Sequence, residues 1–528
     1  MLRLFRYLGW FTAQAGPISG PLRRLWRGKE LDRISSRTAT GARWAAIHSS
    51  GADGEDKPSV LAGIARKNLL PLHFGLHDTN LAPSLPDLYP GIARKAKSLD
   101  VRPWHCCAFR LRSAPADYYN PATAANLEKP LPVGTAFHER TFPLCQSLNY
   151  REWSGYYAVS VYESHHEHEY NAIRNAAALI DVTPLFKYLI SGPDATRFVN
   201  RVIARDINKV AVGQVIYCCW CDEDGKVIDD GTITRLEENL YRWTAADPNL
   251  RWFRQNAIGF NVEIADITEQ LAALALQGPT SGALLKSVAE ADIANLRYFR
   301  KTSGKIGGVQ VDISRTGYTG DLGYEIWIPW DHAVTVWDEL MKAGRGFDIH
   351  PTGMLALDVA RIEAGLILAD VDFVSSKKAL IESQKYSPFE LGLGKLVHFD
   401  KDNFIGREAL LQESKKGPGR LLVGLELDWN EMEAMFDKVG LAPQTPSIAS
   451  RVHVPVYKGA RQVGKATSTS WSPLLKQLIA LASVDRQHAK PGTQLQIEAT
   501  VEAARKKLGA TVRQLPFFNP ARKTRTPV

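Results

Sequence analysis

The chain has no run of 18 or more apolar residues among its 528, so no membrane-spanning helix is expected. Cysteine is scarce and clustered, at Cys106, Cys107, Cys145, Cys218, Cys219 and Cys221, which does not make the framework of a small secreted fold. Reduced thiols and a cytoplasmic protein are the reading that follows. Cys218 and Cys221 form a formal C-x-x-C, yet they lie in a strand-like run and no second pair stands at zinc-ribbon spacing, so core thiols are expected. The trio His165, His166 and His168 lacks H-E-x-x-H spacing and reads as a solvated helix start. No metal site is expected. A net charge of +9 and a pI near 9.1 suit an anionic partner such as a polycarboxylate, but no reader motif points to nucleic acid.

With 45% hydrophobic and 23% charged residues, the chain is long enough for several packed domains. Residues 1–130 have broken periodicity and recurring Pro and Gly, and six basic residues precede the first acidic one, Glu30. Two readings stand: a poorly ordered extension, including an over-extended start, and an Arg-rich targeting peptide. Compact elements begin at Gly134, where Ser164 and Glu167 have capping-box spacing before a helix running to about Ala176. Residues 134–385 form the core, 386–415 a connecting segment, and 416–522 a run of short alternating strands with the rhythm of a small β-barrel. Within the core, a strand, a Gly-Pro turn and a helix at Leu185–Val202 recur at Leu271–Leu285, about 86 residues later, which predicts a duplicated α+β design.

The stretch Val309–Pro329 carries two alternating runs around Gly317, Gly320 and Gly323 and predicts two strands with a glycine-rich turn. Those glycines would let a flat ligand approach the main chain. Period 2 puts Tyr324, Ile326 and Ile328 on one face and Glu325 and Trp327 on the other. A carboxylate beside an indole, with Tyr318 as a further wall, suits a planar nitrogen-rich ring, because the carboxylate accepts parallel hydrogen bonds while the aromatic faces cover it. The plainer alternative is a solvated hairpin face. Upstream, Cys218–Trp243 reads as three strands, with Asp229 and Asp230 on opposite faces so that one of the two can enter a cleft.

The GYTG-x-x-GYE segment at 317–325 resembles the aminomethyltransferase (glycine-cleavage T-protein) family. LIDV at 179–182, SGPDA at 191–195, GKVIDDG at 225–231, LQGP at 276–279, ARIEAG at 360–365, FIGREAL at 404–410 and WSP at 471–473 follow in family order. The resemblance implies two related α+β domains around a central channel, a C-terminal barrel, and tetrahydrofolate as the cofactor. It implies transfer of an aminomethyl or methyl group from a small one-carbon donor, with a lipoyl carrier protein as partner in the glycine-cleavage form. Asp230 would be the catalytic carboxylate facing the folate nitrogens. Glu325, Tyr318, Trp327 and Arg361 are the candidate folate contacts, although Arg361 also reads as an internal ion pair with Asp358 or Glu363. Trp471 and Lys476 are weaker candidates at the channel mouth.

Several positions depart from the family pattern. Leu357 stands where many members have arginine, Thr183-Pro184-Leu185 replaces Ser-His-Met, and Thr244 replaces an asparagine. LALD at 355–358 resembles folate domains fused to flavin-dependent demethylating dehydrogenases, but no G-x-G-x-x-G follows a predicted strand. The alternatives are demethylation of a methoxy, methylthio or methylamino compound, and a folate-binding sensor or assembly factor without transfer.

Overall fold

The computed structural model describes residues 131–525, so the proposed extension, Cys106 and Cys107 lie outside the described residues. The described chain forms a five-stranded sheet, a seven-stranded sheet, a closed six-stranded barrel and a small hairpin.

The repeat expected from the sequence is present in the sheets. In the first half, strand Phe186–Ser191 leads through helix Ala195–Val202 into Val215–Cys221, Val227–Glu237 and Leu240–Ala245, and the last of these pairs antiparallel with the first. In the second half, Leu271–Gln277 leads through helix Ser281–Val288 into Lys301–Ile306, Val309–Ser314 and Gly323–Pro329, with the same closing pair. The halves also trade a strand. Ala177–Asp181, which precedes the first unit, pairs with Leu271–Gln277 of the second, and Glu263–Asp266, which precedes the second, pairs with Phe186–Ser191 of the first. Each sheet thus holds, by backbone hydrogen bonds, a strand that precedes the other half's unit in the chain.

Alternation decides what each sheet face does. Tyr324, Ile326 and Ile328 are fully buried in one cluster with Val336, Trp337 and Leu340 of helix Ala333–Gly344. Trp220, Trp243 and Phe253 fill the core of the other half, with the two indoles edge to face at 5.1 Å. Each such side chain contributes about 1.5–3 kcal/mol by leaving water. The opposite sheet faces, where period 2 places polar residues, are left to line the space between the halves.

Helix Met354–Glu363 is buried nearly all round, against helix Glu167–Asn175 on one side and barrel residues Ile479 and Leu481 on the other. An ionic network joins these layers. Glu363 is fully buried; it accepts from Tyr170 Oη (2.6 Å), Ser472 Oγ (2.5 Å), and Arg174 Nε and Nη2 (2.9 and 2.6 Å). The barrel closes where Arg420–Leu427 pairs with both Gln477–Asp485 and Ala504–Arg513, and helix Trp429–Asp437, absent from the strand-only reading, plugs it with Met432 and Phe436. The chain then returns to the core, where Phe518 lies 4.5 Å from the Arg174 guanidinium and Arg522 pairs with Asp321 at 2.6 Å.

One local expectation is corrected. Ser164 does not cap its helix, which starts at Glu167 behind His166 with no side-chain cap; His165 and His166 instead stack at 4.8 Å. Of the hairpin glycines, Gly317 lines the cavity described below, but Gly317 and Gly323 also make room for an amide. A Cβ on Gly317 or Gly323 would fall 2.0 or 2.1 Å from Gln277 Oε1. That amide, fully buried, accepts from Thr319 Oγ1 at 2.9 Å and donates to the carbonyls of Thr316 and Tyr324.

Candidate functional site

A cavity of about 900 Å³ opens between the two sheets, lined by residues of both halves, by Leu357 and Asp358 of helix Met354–Glu363, and by Arg451 and Lys523. Asp230, Glu325, Tyr318 and Trp327 all line it.

Asp230 comes from strand Val227–Glu237. Strand alternation separates it from Asp229, which turns into the protein, accepts from the backbone N–H groups of Asp230 and Asp247 and from Asn249 Nδ2, and is 1% exposed. Asp230 is left facing the cavity with one oxygen accepting from Tyr217 Oη at 2.6 Å. Burial pushes its carboxyl up to about 6, against the pull of the Tyr217 hydroxyl and of backbone N–H. The group is therefore ionised at neutral pH but held in a poorly solvated site, where its charge acts strongly on whatever lies beside it. Gly231 allows the strand to pass close to its neighbour: a Cβ there would sit 2.0 Å from the Thr244 carbonyl oxygen.

Glu325 stands on the second sheet, opposite Ser314 in the ladder. Its Oε2 accepts from Thr316 Oγ1 at 2.5 Å, and burial raises its pKa while Thr316 and Arg242 pull it back. Two places along, Trp327 presents its indole to the cavity and donates Nε1–H to Ser314 Oγ at 3.1 Å. Tyr318 is anchored by its hydroxyl donating to the Ile367 carbonyl, which leaves its ring on the wall. The second sheet thus offers the cavity a partly buried carboxylate flanked by aromatic faces.

Two ionic clusters stand on the cavity wall besides Asp230 and Glu325. Asp358 holds two guanidinium groups at the cavity wall, Arg451 at 2.6 Å and Arg151 at 3.4 Å. Two cations against one carboxylate leave a local positive excess. Lys378 bridges Asp247 and Asp370, each at 2.7 Å, which leaves a local negative excess.

Arg361 is corrected. It does not line the cavity; it is fully buried, pairs with Asp372 at 2.5 Å and donates to Ser468 Oγ at 2.8 Å, pinning the helix to the barrel. Its second contact is Asp358 at 3.6 Å, and Glu363 is taken by Arg174. Helical spacing could not reveal Asp372, which lies beyond the helix. Trp471 is likewise packed against Trp429 in the barrel at 5.4 Å, and neither it nor Lys476 lines the cavity.

The sequence reading missed Tyr217, Thr316, Arg151, Arg451 and Lys378. Tyr217 was recoverable, because it precedes C-C-W-C in a strand that hairpins onto the Asp230 strand. The two arginines come from segments remote in sequence and carry no local pattern.

Comparison with known proteins agrees with this architecture. The GCVT N-terminal domain model matches residues 145–401, and the glycine cleavage T-protein C-terminal barrel domain model matches residues 437–519. The chain is 36% identical over 405 residues to trimethylamine-oxide aldolase of Ruegeria pomeroyi, covering 74% of this chain but 47% of that protein, so it spans about half of that relative's length. It is 34% identical over 334 residues to an aminomethyltransferase of Caldanaerobacter subterraneus subsp. tengcongensis, covering 62% of this chain and 82% of that protein. Among solved structures, the aminomethyltransferase T of the glycine cleavage system of Bartonella henselae superposes with a TM-score of 0.61 at 23% identity, over 73% of this chain and 98% of that one.

Proposed function

The chain belongs to the aminomethyltransferase (glycine-cleavage T-protein) family, and from that premise we propose that it transfers a one-carbon group from a small donor to tetrahydrofolate in the cavity between the two sheets. The observation that carries the reading is that Asp230 and Glu325, on different sheets, line one cavity of about 900 Å³, a volume typical of sites for drug-sized ligands.

The lining fits the ligand chemically. Glu325 is an acceptor for the amino-pyrimidine edge of a pteridine, Trp327 and Tyr318 are walls for its faces, and the positive excess at Arg151 and Arg451 suits the carboxylates of the glutamate tail. Tetrahydrofolate supplies the accepting nitrogens. Asp230, oriented by Tyr217, would stabilise positive character as it develops at the reacting nitrogen, a role that requires the carboxylate to stay ionised and not to form a bond itself.

The donor is the less defined part. A methylamino compound is the second reading to keep, because the relative from Ruegeria pomeroyi is named for trimethylamine oxide and Asp230, Asp247 and Asp370 give the cavity carboxylates suited to a cationic amine. Thr183-Pro184-Leu185 weakens the case for a lipoyl arm. Incubation with tetrahydrofolate and a panel of aminomethyl, methylamino, methylthio and methoxy donors, followed by assay of methylene- and methyl-folate, tests the proposal. Turnover with one donor class supports it. Tight folate binding with no turnover across the panel would favour a sensor.

A further inference from the structure

Arg242 is a buried cation that the reading above does not use. It lies on strand Leu240–Ala245, in the sheet that carries Asp230, and is 4% exposed. Its partners are on the other sheet. Nη1 donates to Asp312 Oδ2 at 2.9 Å, and the guanidinium carbon is 4.4 Å from the centre of the Trp327 ring. Asp312 is itself held by Lys301 and Ser303, each at 2.7 Å. Arg242 Nε and Nη2 are buried with no hydrogen-bond partner among the described residues.

Stability alone does not explain such a residue. A guanidinium with two nitrogens unsatisfied is costly to bury, and an apolar side chain of similar volume would serve the packing at least as well. What it gains is electrostatic: attraction to Asp312 first, then to Glu325, and to the indole face. The duplication explains how it came to that place. Arg242 pairs with Leu189 in the first half as Glu325 pairs with Ala275 in the second, so the two occupy equivalent register positions, one a cation and the other an anion.

We infer that Arg242 is a positioning residue for the folate site, a brace from the Asp230 sheet that fixes the plane of Trp327 and supports the charge of Glu325 on the opposite sheet. The inference rests on the folate reading of the cavity. By holding both sheets it also sets the separation between the ring-binding carboxylate and Asp230.

The sign of its effect on pH dependence follows from what surrounds Glu325. From its own hairpin come the hydroxyls of Ser314 and Thr316; the ionisable groups facing it are Arg242 and Tyr298, with Asp312 and Lys301 behind Arg242. Burial raises the carboxyl and Arg242 opposes that rise. Ring binding needs the ionised form, so affinity falls as pH falls through the pKa of Glu325, and removing Arg242 moves that fall to higher pH.

The test is calorimetric titration of the full chain with tetrahydrofolate from pH 5.5 to 8.5, on wild type, Arg242→Met and Arg242→Lys, with thermal unfolding of each. Arg242→Met should bind roughly tenfold more weakly at neutral pH, with its acid limb displaced to higher pH. Arg242→Lys should restore the limb while remaining several-fold weaker, because it keeps the charge and loses the stacking plane. A folded Arg242→Met with wild-type affinity and pH profile overturns the inference and leaves the folate reading intact. If Arg242→Met does not fold, Arg242→Lys decides, and wild-type affinity in that variant overturns the inference. Wild-type protein that takes up no folate overturns both.

Discussion

Replacing Asp230 by Asn removes one charge from the cavity and little else. Asn keeps the shape and can still accept from Tyr217 Oη, which holds the carboxylate at 2.6 Å. If Asp230 stabilises developing positive charge, its loss should cost about 2.7–4 kcal/mol in the transition state, the range found when one preorganised group facing a developing charge is removed, or 10²–10³ in kcat. Tetrahydrofolate affinity should change by only about threefold, because the interaction grows in the transition state. A second readout needs no donor. Burial lifts the Asp230 carboxyl from 3.8 to about 6, so the ligand-free native state binds the proton more tightly than the unfolded chain does. Native stability therefore falls as pH rises from about 4 to 6 and stays lower above that. Asp230→Asn escapes this cost and should melt at a higher temperature than wild type at pH 8, with the gap closing near pH 4. Steady-state assays of folate product, calorimetric folate titration and thermal unfolding at both pH values measure all three. Wild-type kcat in the variant, or a melting difference indifferent to pH, would refute the reasoning.

Three further outcomes are expected. Glu325→Gln should weaken tetrahydrofolate binding by roughly tenfold to a hundredfold, the worth of a charge-assisted hydrogen bond, and flatten the acid limb of the binding curve; calorimetry across pH 5–8 reads both. Glu363→Ala should lower stability by about 3–5 kcal/mol, because it leaves Arg174 buried without its main partner, while folded molecules keep wild-type folate affinity. Gly231→Ala should cost about 1–3 kcal/mol and reduce turnover, because the new Cβ meets the Thr244 carbonyl beside Asp230; denaturant unfolding and the folate-product assay check the two effects.

What could be read from the sequence was what depends on local period. Alternation across 323–329 separated the core face from the cavity face, and the Asp229–Asp230 pair was resolved into one inward and one cavity-facing carboxylate. The repeated strand, Gly-Pro turn and helix revealed the duplication, although not the strand exchange, because exchange leaves each strand's own sequence unchanged. Charge partners across long separations were not legible. The internal ion pair of Arg361 with Asp358 was legible from helical spacing, but its nearer partners, Asp372 and Ser468, come from a loop and from the barrel. Nothing in 317–323 announces Gln277, whose amide takes up the space beside Gly317 and Gly323. Arg242 had no visible role until Trp327 and Asp312 were placed against it.

A crystal structure of the chain with tetrahydrofolate bound bears most directly on the central claim, that two carboxylates from the two halves serve one ligand. The account predicts the pteridine between Trp327 and Tyr318, its amino-pyrimidine edge on Glu325 and a reacting nitrogen within hydrogen-bond reach of Asp230. Folate bound on another surface, or seated in the cavity with only one of the two carboxylates touching it, would contradict the account.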